Sequence, residues 1–83
     1  MSFIQVNADD SRVLLKENPE IVVLDVRTPE EYADFHIDNA INIDFYAPSF
    51  EVELDKLNKS QTYFVYCRSG HRSGITLELM RDL

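Results

Sequence analysis

The sequence predicts an α/β protein of three layers, with a mainly parallel central sheet covered by helices on both faces. Three observations carry that prediction. Two runs of strand length, Ile21-Val22-Val23-Leu24-Asp25-Val26 and Tyr63-Phe64-Val65-Tyr66, are almost continuously apolar, the pattern of strands buried on both sides. Helical patterns fall between them, so strand and helix alternate along the chain, as parallel pairing with crossover helices requires. A chain of 83 residues has room for one such unit, a single domain over residues 1–83.

Taken in order, Phe3-Ile4-Gln5-Val6 reads as a short first strand. Asn7 is placed to cap a helix over residues 8–16, with Val13 and Leu14 turned inward and Asn18-Pro19 ending it. The strand at 21–26 follows. Thr28-Pro29-Glu30-Glu31 then reads as a helix start, with a hydroxyl at the cap, proline at the first helical position and glutamate at the third. That helix is short and reaches about Phe35. Ile41-Asn42-Ile43 is another short strand, and Ser49 is placed to cap a helix carrying Phe50, Leu54 and Leu57 on one side. After the strand at 63–66, Ile75, Leu79 and Leu83 recur every four residues, which predicts a last helix from about Ser73 to the end.

Composition narrows the function. With 45% hydrophobic and 28% charged residues, the chain is composed like a globular domain and not like a disordered one. A net charge of −7 argues against nucleic acid and anionic membrane surfaces as partners. The charges are unevenly placed: Glu30, Glu31, Asp34, Glu51, Glu53 and Asp55 lie mid-chain, whereas residues 67–73 hold Arg68 and Arg72 and no acid. Most of those acids read as solvated helix faces, and an acidic shell around a local basic pocket suits a small anion. No apolar run is long enough to span a bilayer, and the first ten residues lack the basic and then apolar segments of a secretory leader. One cysteine allows no internal disulfide, which fits a reducing, cytoplasmic setting. No cofactor is expected, and no metal, since His36 and Cys67 have no further ligands to join them.

The stretch Cys67-Arg68-Ser69-Gly70-His71-Arg72-Ser73 carries the chemistry. It lies where a buried strand ends and a helix begins, on the rim where parallel sheets bind ligands. The nucleophile of cysteine is its thiolate, which is favoured by nearby arginines and by helix N-termini. Backbone N–H groups of a tight loop and of the next helix's first turn point at the same spot. The plainer reading, a buried and inert core cysteine, leaves this basic, glycine-containing sequel unexplained. The thiol is therefore expected to ionise below the usual value of about 8.5.

These residues resemble the rhodanese (thiosulfate sulfurtransferase) homology domain. Leu24-Asp25-Val26-Arg27-Thr28-Pro29-Glu30-Glu31-Tyr32, continued by His36-Ile37 and Asn39-Ala40-Ile41-Asn42-Ile43, is similar to that family's first signature. Tyr66-Cys67-Arg68-Ser69-Gly70-His71-Arg72-Ser73 is similar to the active-site loop of its catalytic members, and order and separation agree over about residues 3–83. The resemblance implies a sulfurtransferase. Cys67 attacks the outer sulfur of a donor such as thiosulfate, sulfite leaves, and the resulting persulfide passes its sulfur to cyanide or a thiol, in ping-pong fashion. On that reading backbone N–H groups of residues 68–73, with Ser69 and Ser73 among them, stabilise the sulfur, and Gly70 supplies a positive φ. Arg72 clamps the anion and Arg68 attracts it from the rim. His71 forms pocket wall and is not a general base, Asp25 and Arg27 brace the strand end beneath the loop, and His36 is a hydrogen-bonded supporting residue.

Two departures from the family pattern carry expectations of their own. Phe35 and Asn39 stand where the family has glycines; asparagine tolerates a left-handed backbone and phenylalanine does not, so the turn at Phe35 should differ. The family also continues into another strand and helix, with that strand lying between the first strand and the one ending at Cys67. The chain is thus expected to be a C-terminally truncated unit whose sheet has a gap and two open edges, or one completed by a strand-swapped dimer. Two other functions compete. A cysteine phosphatase or arsenate reductase on a related fold needs Cys-x5-Arg, whereas Cys67 and Arg72 are separated by four residues, which makes a tighter cradle. A non-catalytic interaction module would not need the cysteine and arginines that this chain keeps, and a protein sulfur relay, with a partner's thiol as acceptor, lies between.

Overall fold

In a computed structural model, residues 2–4, 8–68 and 70–83 are described. The elements are β1 (Ser2–Ile4), α1 (Ala8–Glu17), β2 (Val22–Asp25), α2 (Pro29–Asp34), β3 (Ile41–Asn42), α3 (Phe50–Asp55), β4 (Thr62–Tyr66) and α4 (His71–Asp82). Gln5, Val6 and the expected Asn7 cap lie outside the described residues. The strands form one parallel sheet in the order β1-β4-β2-β3.

Period-two alternation sorts the strand side chains onto two faces. Leu24, Val26, Tyr63, Val65 and Cys67 point to one side and pack with Phe50 and Leu54 of α3 and Leu77 and Met80 of α4. Val23 and Phe64 point to the other, where Ala40, Leu15 of α1 and Tyr32 of α2 meet them. These are the three layers that the apolar strands required. Phe64, Leu24, Leu54 and Met80 are the largest side chains wholly inside.

Several expectations change. The gap foreseen between the first strand and the one ending at Cys67 is closed: β1 bonds directly to β4, with Ser2 opposite Thr62 and Ile4 opposite Phe64. The sheet therefore has no vacant interior position, and the stated ground for a strand-swapped dimer goes with it. Val13, expected inward, is 58% exposed; Leu15 takes the inward place. Ser49 holds the cap position of α3, but its side chain makes no capping bond; its carbonyl accepts from the Glu53 N–H at 2.9 Å instead. On α4 the buried row is Ser73, Thr76, Leu77 and Met80, while Ile75 and Leu83 of the predicted row lie exposed. Asn39 does adopt a left-handed backbone, at φ 65°, and Phe35 is extended, at φ −162°, so that turn is made without strain.

This topology places the site. After β3 the chain crosses back over β2 to lay β4 on its far side, a reversal that opens a crevice beyond the strands' carboxyl ends. The ladder continues past the strand ends: Val26 N–H donates to the Tyr66 carbonyl at 3.0 Å and Ile43 N–H to the Asp25 carbonyl at 3.0 Å. Residues 25–28, 43–46, 67, 68 and 70 thus share one rim.

Candidate active site

Cys67 is the first residue beyond β4, 7% exposed. Its Sγ accepts from the Gly70 N–H at 3.0 Å and from the Ser73 N–H at 3.3 Å. The Ser73 hydroxyl lies 3.4 Å from the sulfur and donates to the Gly70 carbonyl at 3.1 Å. A thiol proton can point to that hydroxyl, and when the sulfur is ionised the hydroxyl can turn its own proton to the sulfur. Two converging N–H groups at the start of a twelve-residue helix favour negative charge on the sulfur. Gly70 makes the turn, with φ 85° in the left-handed region that glycine enters without penalty. Apart from its chain neighbours and the helix's own backbone, no described atom lies within 4 Å of where a Cβ would stand there, so backbone conformation, and not space, selects glycine.

The other loop residues divide. Arg68 and His71 are exposed, and Ser69 lies outside the described residues. Arg72, expected as an anion clamp, is engaged elsewhere: its Nη1 donates to Glu31 Oε1 at 2.8 Å and its Nη2 to Oε2 at 3.1 Å. The side chains of the pair are 12% and 28% exposed, and the Arg72 Cζ lies 5.8 Å from the Tyr46 ring centre. The guanidinium, followed by the Thr28 N–H, holds the Glu31 carboxylate down at about 2; Glu31 in turn raises the Arg72 guanidinium.

Beneath the rim, Asp25 and Arg27 are buried together. Arg27 Nε donates to Asp25 Oδ1 at 3.0 Å and Nη2 to Oδ2 at 2.8 Å, and the Arg27 N–H donates to Oδ1 at 3.0 Å. Nη2 also donates to the Phe35 carbonyl at 2.6 Å, which ties the end of α2 to the strand end. The Phe35 and Tyr66 rings flank the guanidinium at 4.9 and 5.1 Å. His36 is exposed, stacked on Tyr32 at 3.8 Å, with Nδ1 2.8 Å from the Tyr32 carbonyl; its bonds serve α2, and it has no contact with the sulfur.

Sequence reasoning missed two residues. Asn42 donates from Nδ2 to the Asp25 and Arg27 carbonyls at 3.0 and 2.9 Å, and its signal was a polar residue between two isoleucines in a strand. Glu31 was read only as a cap residue. Its capping role explains its position so fully that nothing in the sequence hinted at a second bond to Arg72.

Comparison with known proteins accords with this geometry. Residues 8–83 match the family model for the rhodanese-like domain. The chain is 33% identical to the thiosulfate sulfurtransferase PspE of Escherichia coli, over 72% of this chain and 58% of that protein. It is 31% identical to the thiosulfate:glutathione sulfurtransferase of Saccharomyces cerevisiae, over 80% of this chain and 55% of that one. It thus spans little more than half the length of these curated relatives. A crystal structure of a rhodanese-related protein from Thermoplasma volcanium superposes with a TM-score of 0.76 at 29% identity, covering 99% of this chain and 75% of the other.

Proposed function

Because this chain belongs to the rhodanese-like domain family, we propose that it is a sulfurtransferase whose sulfur carrier is Cys67. The Cys67 thiolate attacks the outer sulfur of thiosulfate or of a persulfide donor. A new S–S bond forms, the donor's own S–S bond breaks, and its electron pair leaves on sulfite or on the donor thiolate. An acceptor thiolate (cyanide in an assay) then attacks the outer sulfur of the Cys67 persulfide and returns Cys67 as a thiolate. No electrons are gained or lost overall and no proton must reach the leaving group, so no general base is assigned and His71 is left as pocket wall. Chemistry of this kind suits a reducing compartment, and a cytoplasmic location is proposed with it. None of the described helices is long and apolar enough to cross a membrane.

The observation that carries the reading is the convergence of the Gly70 and Ser73 N–H groups on Sγ. Such donors stabilise the charge that the thiolate holds before attack and that the persulfide holds after it. Treatment with thiosulfate, followed by intact-mass measurement, should show a gain of one sulfur, reversed by a thiol and absent in Cys67→Ser. An unchanged mass in the parent chain, or sulfur transfer by Cys67→Ser, refutes the assignment. Hydrolysis of p-nitrophenyl phosphate, run beside it, should be absent; its presence would favour the phosphatase reading that the four-residue spacing disfavours.

A further inference from the structure

The bond between Glu31 and Arg72 joins residues far apart in sequence, and it lies across the rim from one helical layer to the other. Glu31 belongs to α2, which packs through Tyr32 on one face of the sheet; Arg72 belongs to α4, which packs through Leu77 and Met80 on the opposite face.

The carboxylate is fixed independently of Arg72. Glu31 stands at the third position of α2, where the Thr28 N–H and the Thr28 hydroxyl each donate to its Oε1 at 3.1 Å, and the Glu31 N–H donates back to that hydroxyl at 3.3 Å. Arg72 meets this fixed acceptor with two parallel bonds. A bidentate fork constrains orientation as well as distance.

The start of α4 is also held by the Ser73 hydroxyl on the Gly70 carbonyl and the Thr76 hydroxyl on the Arg72 carbonyl, but both bonds lie within the helix and do not tie it to the opposite layer. Yet this is the turn that presents both sulfur-directed N–H groups, and they stand on either side of Arg72 in the chain, at Gly70 and Ser73. A shift of residue 72 moves both.

We propose that Glu31 is a positioning residue for the Cys67 loop: through Arg72 it anchors the first turn of α4 and keeps the Gly70 and Ser73 N–H groups aimed at the sulfur. The inference deepens the sulfurtransferase reading and rests on Cys67 being the reactive group. On this view Arg72 acts through the backbone it holds, and the donor anion is not its partner.

Charge-conserving variants test it. Arg72→Lys keeps the ion pair but replaces the fork with a point charge, which cannot span both carboxylate oxygens. In the full chain we expect the pH midpoint of Cys67 alkylation by iodoacetamide to rise by about half a unit, as the sulfur loses aligned donors. In thiosulfate-to-thiol transfer kcat should fall about tenfold or more, as misplacement of a reacting group does. The donor KM should stay within about threefold, since no substrate contact is lost. A melting temperature within about 5 °C of the parent marks the effect as local.

The alkylation midpoint decides. If it does not move in Arg72→Lys, the proposal is overturned whatever the kinetics show, and a rise in KM alone would make Arg72 an anion contact after all. Should Arg72→Lys fail to fold, Glu31→Asp, which withdraws the carboxylate by one methylene, carries the same expectation. If the parent chain takes up no sulfur at all, the sulfurtransferase reading fails, while the alkylation profile still judges the role of Glu31.

Discussion

Asp25 and Arg27 are 0% and 2% exposed, and charges so deep persist only where each is answered. The Asp25 carboxylate accepts from the Arg27 side chain and N–H, and the guanidinium also reaches the Phe35 carbonyl. Removing one partner strands the other, so Asp25→Ala should cost about 3–5 kcal/mol in urea unfolding, with a loss of activity that follows the unfolded fraction. Arg68 offers the contrast. It is exposed and makes no ion pair among the described residues, so Arg68→Ala should leave stability unchanged. It should raise the KM for an anionic donor by about two- to fivefold at low salt, an effect that added salt screens out. Glu31 gives a pH signature. Its folded value is lowered from 4.5 to about 2. A depressed carboxylate adds stability that is fully present above its unfolded value and is lost as pH falls through the folded one. The parent chain should therefore lose stability between about pH 4.5 and 2, and Glu31→Gln should lose less there, as urea midpoints across that range will show. The place of Cys67 at the strand end, the left-handed Gly70 and the bracing of the strand end by Asp25 and Arg27 could be read from residue type and neighbours. The engagement of Arg72 could not, because its partner lies 41 residues away and only the assembled rim brings the two together.

At the level of elements, two helix starts are built by different means. α2 begins with a complete capping box, Thr28 and Glu31 each bonding the other's backbone. Thr28→Ala removes half of it and should destabilise by about 1 kcal/mol, and the loosened Glu31 should carry some of that disorder to Arg72. α4 begins instead on Gly70 in the left-handed region. Gly70→Ala meets no described atom beyond its chain neighbours and the helix's own backbone but bears the left-handed backbone cost of about 1–2 kcal/mol; melting will read it, along with a fall in Cys67 alkylation rate as the turn shifts. The start of α2 was legible because its whole signal lies within four consecutive residues. The inward face of α4 was not. Counting leucines and isoleucines favoured Ile75, Leu79 and Leu83, of which only Leu79 packs against the core, yet Ser73 and Thr76 are buried because local bonds satisfy their hydroxyls: Ser73 to the Gly70 carbonyl and Thr76 to the Arg72 carbonyl at 2.7 Å. A hydropathy count cannot credit a hydroxyl that the fold has satisfied.

Across the whole molecule, the parallel sheet and its two covered faces followed from the apolar runs and the alternation of strand and helix. The neighbour of β4 did not, because pairing between sequence-distant strands leaves no local mark, and a family pattern suggested a gap where β1 in fact sits. That pairing has a kinetic consequence. Each ladder in this sheet joins residues well separated in the chain, and the separation grows from Leu24 with Ile41, through Val22 with Tyr63, to Ser2 with Thr62. Loop closure must be met before a contact forms, and parallel topologies are slow for that reason. β2 and β3 should therefore join first, β4 next and β1 last, an order that pulsed hydrogen exchange during refolding will resolve as delayed protection of β1 amides. The reactive loop depends on β4 and on the docking of α4, so the thiol passes through a stage in which it is reachable but not yet cradled. During synthesis or refolding, Cys67 is thus open to any oxidant present before the loop encloses it.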